Sequence, residues 1–308
     1  MALKSKKVVL LAKIETTYGV DALPTGAANA ILAVNPKLTP LTLQANARNI
    51  IQPFFGNFGK IIAGKHVQLS FEVELAGAGA AGSAPQYGAL LKACAMAETI
   101  NAGVSAVYAP ISSGEQSATL YFCVDGEQHK LLGARGSVSI KFALGGVPML
   151  IFKFFGLYAT PSDTALPVPT FTATKPVAVT QANTTPVTLH GFAGNFVSAS
   201  VDIANAVAYR NLINLEEITF TDRTPACSFD LERPSMAAKD FFSEVVNGTT
   251  GAFALTHGTV AGNKVQISAP VVQLTNATMG SANGVETLTL PGEMQPNTGN
   301  DELVITVL

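Results

Sequence analysis

Short segments of alternating apolar and polar residues run through the sequence and limit it to a β-rich fold. In residues 66–75, Val67, Leu69, Phe71, Val73 and Leu75 alternate with polar or charged neighbours. Residues 137–144 repeat this pattern. A period of two residues places one set of side chains on each face of a strand, as expected for strands buried on one side. The sequence therefore predicts a mainly β protein.

Helical spacing is clear in two places. Apolar residues recur at helical intervals in residues 87–94, after Pro85, and again in residues 238–245, after Pro234. Proline favours the first turn of a helix, and Asn or Gly favours its end. The first segment ends before residues 101–103 and the second ends at 247–248. We therefore expect one principal helix in each half of the chain.

The strand that precedes each helix is also similar. Residues Ser70–Glu74 align with Ser228–Glu232, an offset of 228 − 70 = 158. Such a repeat predicts duplication, although chance similarity of a few short elements would look the same. The segment 160–176, rich in proline and poor in charge, suits a linker. We therefore expect two tandem domains, residues 1–165 and 166–308. We expect the second to lack a hairpin like the one predicted around Asp125-Gly126.

The low charge of the chain points to an assembly. Only 13% of residues are charged and 48% are hydrophobic, whereas about 25% are charged in a typical soluble domain. No apolar segment reaches the roughly 18 residues of a membrane-spanning helix. Burial against partner subunits is the other outlet for neutral surface. With a formal net charge of −2 and no basic cluster, specific nucleic-acid binding is not expected.

Neither the start of the chain nor its cysteines indicate export. The apolar segment Val8–Ala12 is too short for a signal peptide and is interpreted as a strand. Cys94, Cys123 and Cys227 are odd in number and widely spaced, which favours a reducing compartment without a disulfide framework.

Patterns typical of catalytic sites are weak. Residues Gly77–Gly82 satisfy G-x-G-x-x-G between a strand and a helix, the arrangement of a dinucleotide site. However, the preceding strand carries Glu72 and Glu74, whereas the first strand of such a fold is buried on both faces. A flexible Gly/Ala loop is the better interpretation. The four histidines are scattered without metal-binding spacing. We expect no catalytic residue, no cofactor and no metal.

Three phenylalanines lie in a Pro/Gly-rich segment. Phe54, Phe55 and Phe58 form either local core or an exposed contact patch. The segment Gln44–Gly64 that carries them is too long for a tight hairpin. We expect it to project and to contact the next ring of an assembly.

Two further segments resemble the major tail proteins of long-tailed bacteriophages. They are Lys13–Val20, followed by Pro24 and Ala30–Val34, and Asp125–Val138. The resemblance covers residues 1–160 well and 185–308 weakly, and transfers no functional residue. It implies a tail-tube fold: a β-sandwich or partial barrel with one flanking helix, here in two tandem copies.

The resemblance also implies partners. Six tube domains make a ring, so three two-domain chains would close a pseudo-hexameric ring, and rings would stack into a tube. DNA would pass through the lumen without specific binding, along a neutral or acidic lining. Tape measure, tail terminator and distal tail proteins are the expected partners. The protein would be made in the host cytoplasm and reside in the virion tail, without contact with a membrane.

Other functions stay open at this point. A capsid decoration, tail terminator or baseplate protein would share this composition, as would a secretion-system tube protein. A dinucleotide-binding enzyme at Gly77–Gly82 is the alternative from a different class.

Overall fold

Antiparallel strands make up most of the protein. The computed structural model describes residues 3–171 and 175–308. Strands account for 54% of the chain and helices for 5%, which confirms the prediction of a mainly β fold. Met1, Ala2 and part of the predicted linker, residues 172–174, lie outside the described residues.

The first half forms a curved sheet. Its elements are β1 (Val8–Ile14), α1 (Gly26–Asn29), β2 (Ala30–Ile31), β3 (Ala33–Ala47), β4 (Lys60–Glu74), α2 (Gly88–Lys92), β5 (Met96–Asn101), β6 (Ser105–Pro110), β7 (Ala118–Val124), β8 (Glu127–Ala143), β9 (Met149–Tyr158) and β10 (Ser162–Asp163). Neighbouring strands follow the order β3–β4–β9–β8–β7–β1. Because β1 also pairs with β2, which leads directly into β3, the sheet curls back on itself.

The second half repeats this order. Its elements are β11 (Thr184–Leu189), β12 (Phe196–Asp202), β13 (Asn205–Leu212), β14 (Leu215–Arg223), β15 (Ala226–Glu232), α3 (Phe241–Asn247), β16 (Thr250–His257), β17 (Val265–Leu274), β18 (Thr278–Ala282), β19 (Val285–Gln295) and β20 (Val304–Val307). Neighbouring strands follow β12–β15–β19–β17–β16–β11. These six strands correspond one by one to β3, β4, β9, β8, β7 and β1 of the first half. Corresponding strands also follow one another in the same sequence along the chain.

The two halves share one sheet because β8 is long. Its first part pairs with β7, and that ladder ends at Ala134. Its last part, Ser139–Ala143, pairs on the same side with β12. A sheet of eight strands therefore crosses the molecule in the order β3–β4–β9–β8–β12–β15–β19–β18. A second link forms where β20 pairs with both β17 and β6.

The core follows from the alternation in the sequence. Phe71 of β4 is buried and stacks on Phe152 and Phe154 of β9, with ring centroids 5.6 and 6.0 Å apart. In the second half Phe229 takes the equivalent place and lies 4.5 Å from Phe253. Most buried hydrophobic residues of both halves belong to one continuous cluster, and a second, small cluster lies on the other face of β1 and β7. Aromatic side chains bury large apolar areas, so these rings dominate the stability of both sheets.

Both predicted helices are present but shorter than expected. The first ends at Lys92, and the chain then turns through Ala95, which has a φ of 57°, into β5. The second begins at Phe241 rather than near Pro234, because Asp240 accepts a hydrogen bond from the Ser243 backbone N–H and caps it. It ends at Asn247 before Gly248, in agreement with the sequence.

The predicted turn at Asp125-Gly126 is confirmed, since it joins β7 and β8 and both residues have positive φ, as a tight hairpin turn requires. The expectation that the second half lacks such a hairpin is wrong. β16 and β17 form it, with Gly258 at the end of β16. The loop between them, residues 258–264, has no Asp-Gly dipeptide. The sequence therefore carried no Asp-Gly turn signal for this hairpin.

A buried histidine lies where the halves meet. His257 of β16 donates from Nε2 to the Val177 carbonyl oxygen (3.2 Å), and its Nδ1 lies 2.8 Å from the Thr184 hydroxyl. Its ring meets the edge of Phe142 from β8 at 5.9 Å. Burial lowers the pKa of His257 below its ordinary value of 6.5, and the hydrogen bond to Val177 only partly opposes this effect.

We therefore expect His257 to make the folded protein less stable as the pH falls. Below about pH 6.5 the unfolded chain binds a proton at His257 that the folded protein disfavours, so the free energy of unfolding decreases as the pH falls. His257→Gln, which keeps an N–H donor but does not titrate, should lose less stability between pH 7.5 and 5. Urea unfolding at several pH values measures this. If the free energy of unfolding depended on pH equally in the variant and the wild type, His257 would not be the group responsible.

Candidate assembly surfaces

The join between the halves shows how one sheet edge accepts another. Residues Ser139–Ala143 pair antiparallel with Ser198–Asp202, with Ile140 opposite Val201. Backbone hydrogen bonds close the ladder at both ends, from Leu144 N–H to the Val197 oxygen (3.0 Å) and from Ile203 N–H to the Val138 oxygen (3.2 Å). Apolar side chains face the core, and Ser200 and Lys141 face outward. A short edge-to-edge ladder, together with the pairing of β20 with β6, therefore joins the two sheets.

The eight-stranded sheet ends on two open edges. Within residues 3–171 and 175–308, β3 pairs with β4 alone and β18 pairs with β19 alone. All five residues of β18 are exposed, and so are Asn35, Pro36 and Lys37 of β3. Open edges present unpaired backbone N–H and C=O groups, which favour pairing with another chain.

One face of this sheet is mainly polar, with Met149, Ile151 and Phe155 of β9 as its partly buried apolar residues. Where the strands alternate, small side chains such as Ser70, Ser139, Ser200 and Ser228 lie opposite the core side. Charged residues on this face include Lys37, Lys141, Lys153, Glu72, Glu74, Asp202, Asp230, Glu232 and Glu293. Carboxylates outnumber lysines among these residues, so the face is not one that attracts phosphates.

Each half carries a hairpin arm. In the first, β3 and β4 extend as far as Ala47 and Lys60, so the loop is residues 48–59 and not the whole segment 44–64. The phenylalanines expected at a ring contact lie in this loop. Phe55 is fully exposed, Phe54 is 67% exposed and Phe58 is 41% exposed. The rings therefore form no part of the core of this chain.

The second arm was missed by sequence reasoning. β13 and β14 form a separate two-stranded sheet that turns at Ile213 and Asn214. Its tip is apolar, since Ile213 is 95% exposed and Leu212 and Leu215 are also exposed. Asn214 has a φ of 70°, a conformation that Asn tolerates in tight turns. Asn between apolar residues was the available signal.

The second arm leans on the first half of the chain. The Tyr209 hydroxyl accepts a hydrogen bond from the Lys65 backbone N–H (3.1 Å), and the Asn211 side-chain amide donates to the Ala63 carbonyl oxygen (2.7 Å). The rings of Tyr209 and His66 lie 5.0 Å apart. Gly64 is needed here because a Cβ would lie 2.9 Å from the Tyr209 hydroxyl.

The two segments that resemble tail proteins meet at the base of this arm. The buried Glu15 carboxylate accepts hydrogen bonds from the Gly19 and Gly133 backbone N–H groups, both at 2.8 Å, and from two hydroxyls, Ser117 and Thr119. Beside it, the Tyr18 ring lies 4.9 Å from the Arg135 guanidinium. Arg135 donates to the Ile218 carbonyl oxygen of β14 (2.9 Å).

This network holds backbone in place. A buried carboxylate with four donors is stabilised where it lies and is not presented to a substrate. Burial is also the main cause that raises the pKa of Tyr18. The residues of the two segments that resemble tail proteins therefore fix the backbone conformation at the base of the second arm.

The glycine-rich loop is a packing junction. At Gly77, a Cβ would lie 2.2 Å from the Gly262 carbonyl oxygen of the second half, and the Gly79 N–H donates to that same oxygen (2.8 Å). The Gly77 N–H donates to the Asn263 side chain (3.0 Å). Backbone meets backbone here, so Gly77 is explained by close approach between the halves and not by a phosphate. Gly82 is explained by close approach to the Gly103 backbone nitrogen within the first half.

The remaining polar residues that could suggest chemistry are dispersed. His190 lies 2.9 Å from Glu244, His129 lies 3.1 Å from Glu127, and His66 and His257 lie elsewhere. No three metal-ligating side chains cluster in the described parts of the chain. All three cysteines are buried and unbonded. Among the described helices, none is long and apolar enough to cross a bilayer.

A sheet shared by two similar halves and open at both edges is typical of a structural protein that assembles through its edges. Residues 5–302 match the model of the phage tail tube protein family, nearly the whole chain. No curated protein matches the chain. The chain therefore belongs to the phage tail tube protein family and is a structural protein of the virion tail.

The match confirms the resemblance found in the sequence, and it extends into the second half, where the resemblance was weak. Nothing favours a different virion protein or a secretion-system tube. Membership implies self-assembly into a tube. The open edges, the polar face and the two apolar arms are the surfaces that the structure offers for it.

Two glycines with the same backbone conformation test the packing role of the loop. Gly82 and Gly114 have φ of 70° and 72°, so alanine strains both by about 1–2 kcal/mol. At Gly82 the new Cβ would also lie 2.3 Å from the Gly103 nitrogen, whereas the space at Gly114 is open. Overpacking typically adds about 1–3 kcal/mol. We expect Gly82→Ala to lower the urea midpoint clearly more than Gly114→Ala.

A dinucleotide site at this loop would give a different result. Stabilisation of the wild-type protein by NAD or ATP in a thermal shift assay, abolished by Gly82→Ala, would contradict this interpretation.

Proposed function

We propose that three copies of this chain close a pseudo-hexameric ring, that the rings stack into the tail tube, and that the tube conducts DNA during ejection. The observation that carries the proposal is the repeated strand order of the two halves, joined edge to edge by β8 and β12. Each half contributes four strands to the shared sheet. Three chains would therefore supply six similar units, which a closed symmetric ring requires.

The proposed tube domains are residues 1–165 and 166–308. The equivalent places of Phe71 and Phe229 support duplication, since each lies on the strand that precedes the helix. The main contacts between the domains are the β8–β12 and β6–β20 ladders. The chain would thus be a preassembled third of the ring.

In this ring, the polar face of the eight-stranded sheet is the proposed lining of the lumen. Serine side chains and a modest excess of carboxylates would repel phosphates weakly and bind none of them. DNA could then slide without a specific contact. This role needs no catalysis, cofactor or metal, and we propose that the protein is not an enzyme. Contacts with tape measure, tail terminator and distal tail proteins stay predictions, as does the absence of a membrane partner.

The loop of residues 48–59 is the proposed contact between stacked rings. Phe54, Phe55 and Phe58 are exposed at the end of an arm, and residues 40–62 have almost no buried side chain. Each aromatic ring could bury roughly 150–250 Å² on docking. Sheet edges serve sideways contacts within the ring, so axial contact needs a surface of this kind.

The number of chains per ring separates duplication from simpler models. Assembled rings dissociated from tubes should have the mass of three chains in native mass spectrometry. Class averages viewed along the axis should show three strong repeats of a sixfold-like outline. Six chains per ring would contradict the tandem-domain proposal.

The stacking contact can be tested without disturbing the ring. Phe54→Ser with Phe58→Ser should leave folded rings that no longer polymerise, because the apolar patch is lost while the core is untouched. Val104→Ser, which changes an exposed valine far along the chain, is the matched control and should form tubes. Circular dichroism and negative-stain images give the readout. Loss of secondary structure in the double variant would assign the loop to the core instead.

A further inference from the structure

We infer that the β18 edge of one chain pairs antiparallel with the β3 edge of a second copy, with Met279 opposite Leu38 and Thr278 opposite Thr39. This inference rests on the proposed ring and names the strands and the register that close it. The occupant of each open edge is thus a second copy of this chain.

The β8–β12 join supplies the template for β3. Phe71 and Phe229 occupy equivalent places, an offset of 229 − 71 = 158. Two residues before each of them, Leu69 pairs with Leu38, and Cys227 pairs with Val201. Leu38 of β3 is therefore the counterpart of Val201 of β12.

The same steps assign β18. Phe152 lies opposite Phe71 and Leu290 lies opposite Phe229, an offset of 290 − 152 = 138. Two residues earlier on these strands, Leu150 pairs with Ile140 of β8, and Leu288 pairs with Met279 of β18. Met279 is therefore the counterpart of Ile140.

The register between chains follows from these two assignments. Because Ile140 lies opposite Val201 within the chain, Met279 should lie opposite Leu38 of the next chain. The five residues of β18 correspond to Ser139–Ala143, the whole of the segment that pairs with β12.

The side chains fit this register on both faces. Leu38 and Met279 lie opposite the buried residues Leu69 and Leu288, so both point to the core side of the sheet. Met279 is 60% exposed in the single chain, and pairing with Leu38 would cover it. On the polar face, Thr278 would meet Thr39, a cross-strand pair that favours sheet formation.

The β3 edge also limits how a partner can pair. Pro36 and Pro40 flank Leu38 and carry no N–H group. In the proposed register β18 lies opposite residues 35–39, so Pro36 leaves one position of the ladder without a donor and Pro40 limits the ladder beyond Thr39. The edge therefore suits a five-residue strand and disfavours a long one. Prolines of this kind protect open edges from indiscriminate pairing.

Cysteine pairs test the register directly. β3 and β18 lie at opposite ends of eight strands, about 34 Å apart at about 4.8 Å per strand, so a bond between them must join two chains. Residues directly opposite in antiparallel strands have Cα atoms about 4.5–5.5 Å apart, which a disulfide spans. Tubes of Thr39→Cys with Thr278→Cys, oxidised mildly, should run as a covalent trimer on a non-reducing gel.

The matched control shifts the register. Thr39→Cys with Ala282→Cys places the second thiol on the same face but 282 − 278 = 4 residues away, about 13 Å, and should remain monomeric on the gel. The wild-type protein should also remain monomeric, since its three cysteines are buried. Cross-linking of the control pair, or tubes of the first variant that do not cross-link, would overturn the inference while leaving the tube function intact. A cross-linked product of six chains would instead reject the three-chain ring and keep the strand pairing.

A single substitution covers the case in which the cysteine variants do not assemble. Met279→Asp places a charge in the proposed contact and should give folded monomers that form no rings. Met236→Asp changes a methionine of similar exposure, 52%, outside this edge and should assemble normally. Rings of Met279→Asp that match the wild type in yield would overturn the inference.

Discussion

Unpaired backbone groups at the edge of a β-sheet are the constraint on which this structure depends. A chain with 13% charged residues has few charges with which to protect such edges. The protein removes one pair of edges internally, because β8 extends beyond β7 and pairs with β12. The shared core and the contact of His257 with Phe142 lie at that join, and the glycine-rich loop meets the second half near the other link, at β20. The other pair of edges, at β3 and β18, stays open within the described parts of the chain, and we propose that neighbouring copies cover it.

Local patterns predicted local structure well. Alternation in residues 66–75 correctly placed Phe71 in the core, and Asp125-Gly126 correctly marked a hairpin turn. The similarity of Ser70–Glu74 to Ser228–Glu232 identified β4 and β15, which hold the same position in their sheets. Each of these signals lies within ten residues, so pairing partners were not needed to recognise it.

Pairing between strands far apart in the chain could not be predicted from the sequence. Nothing in β8 shows that its last five residues leave β7 for a strand some sixty residues later, because both partners demand the same alternation. The hairpin β16–β17 lacks a dipeptide signal, and the helix α3 starts late because a cap at Asp240 competes with the apolar spacing. The sequence predicted a flexible Gly77–Gly82 loop, yet Gly77 packs against Gly262 and Gly82 packs against Gly103.

The two arms differ in length at their tips, residues 48–59 against the turn at Ile213 and Asn214. In a ring of three chains, long and short tips would alternate around the circumference. Turning one ring by 60° would set unlike tips against the same neighbour, whereas turning it by 120° would restore the match. The rotational phase between successive rings would then have three equivalent settings instead of six. Successive rings of such a tube would keep a fixed rotation relative to one another, because the loop of residues 48–59 is longer than the turn at Ile213 and Asn214.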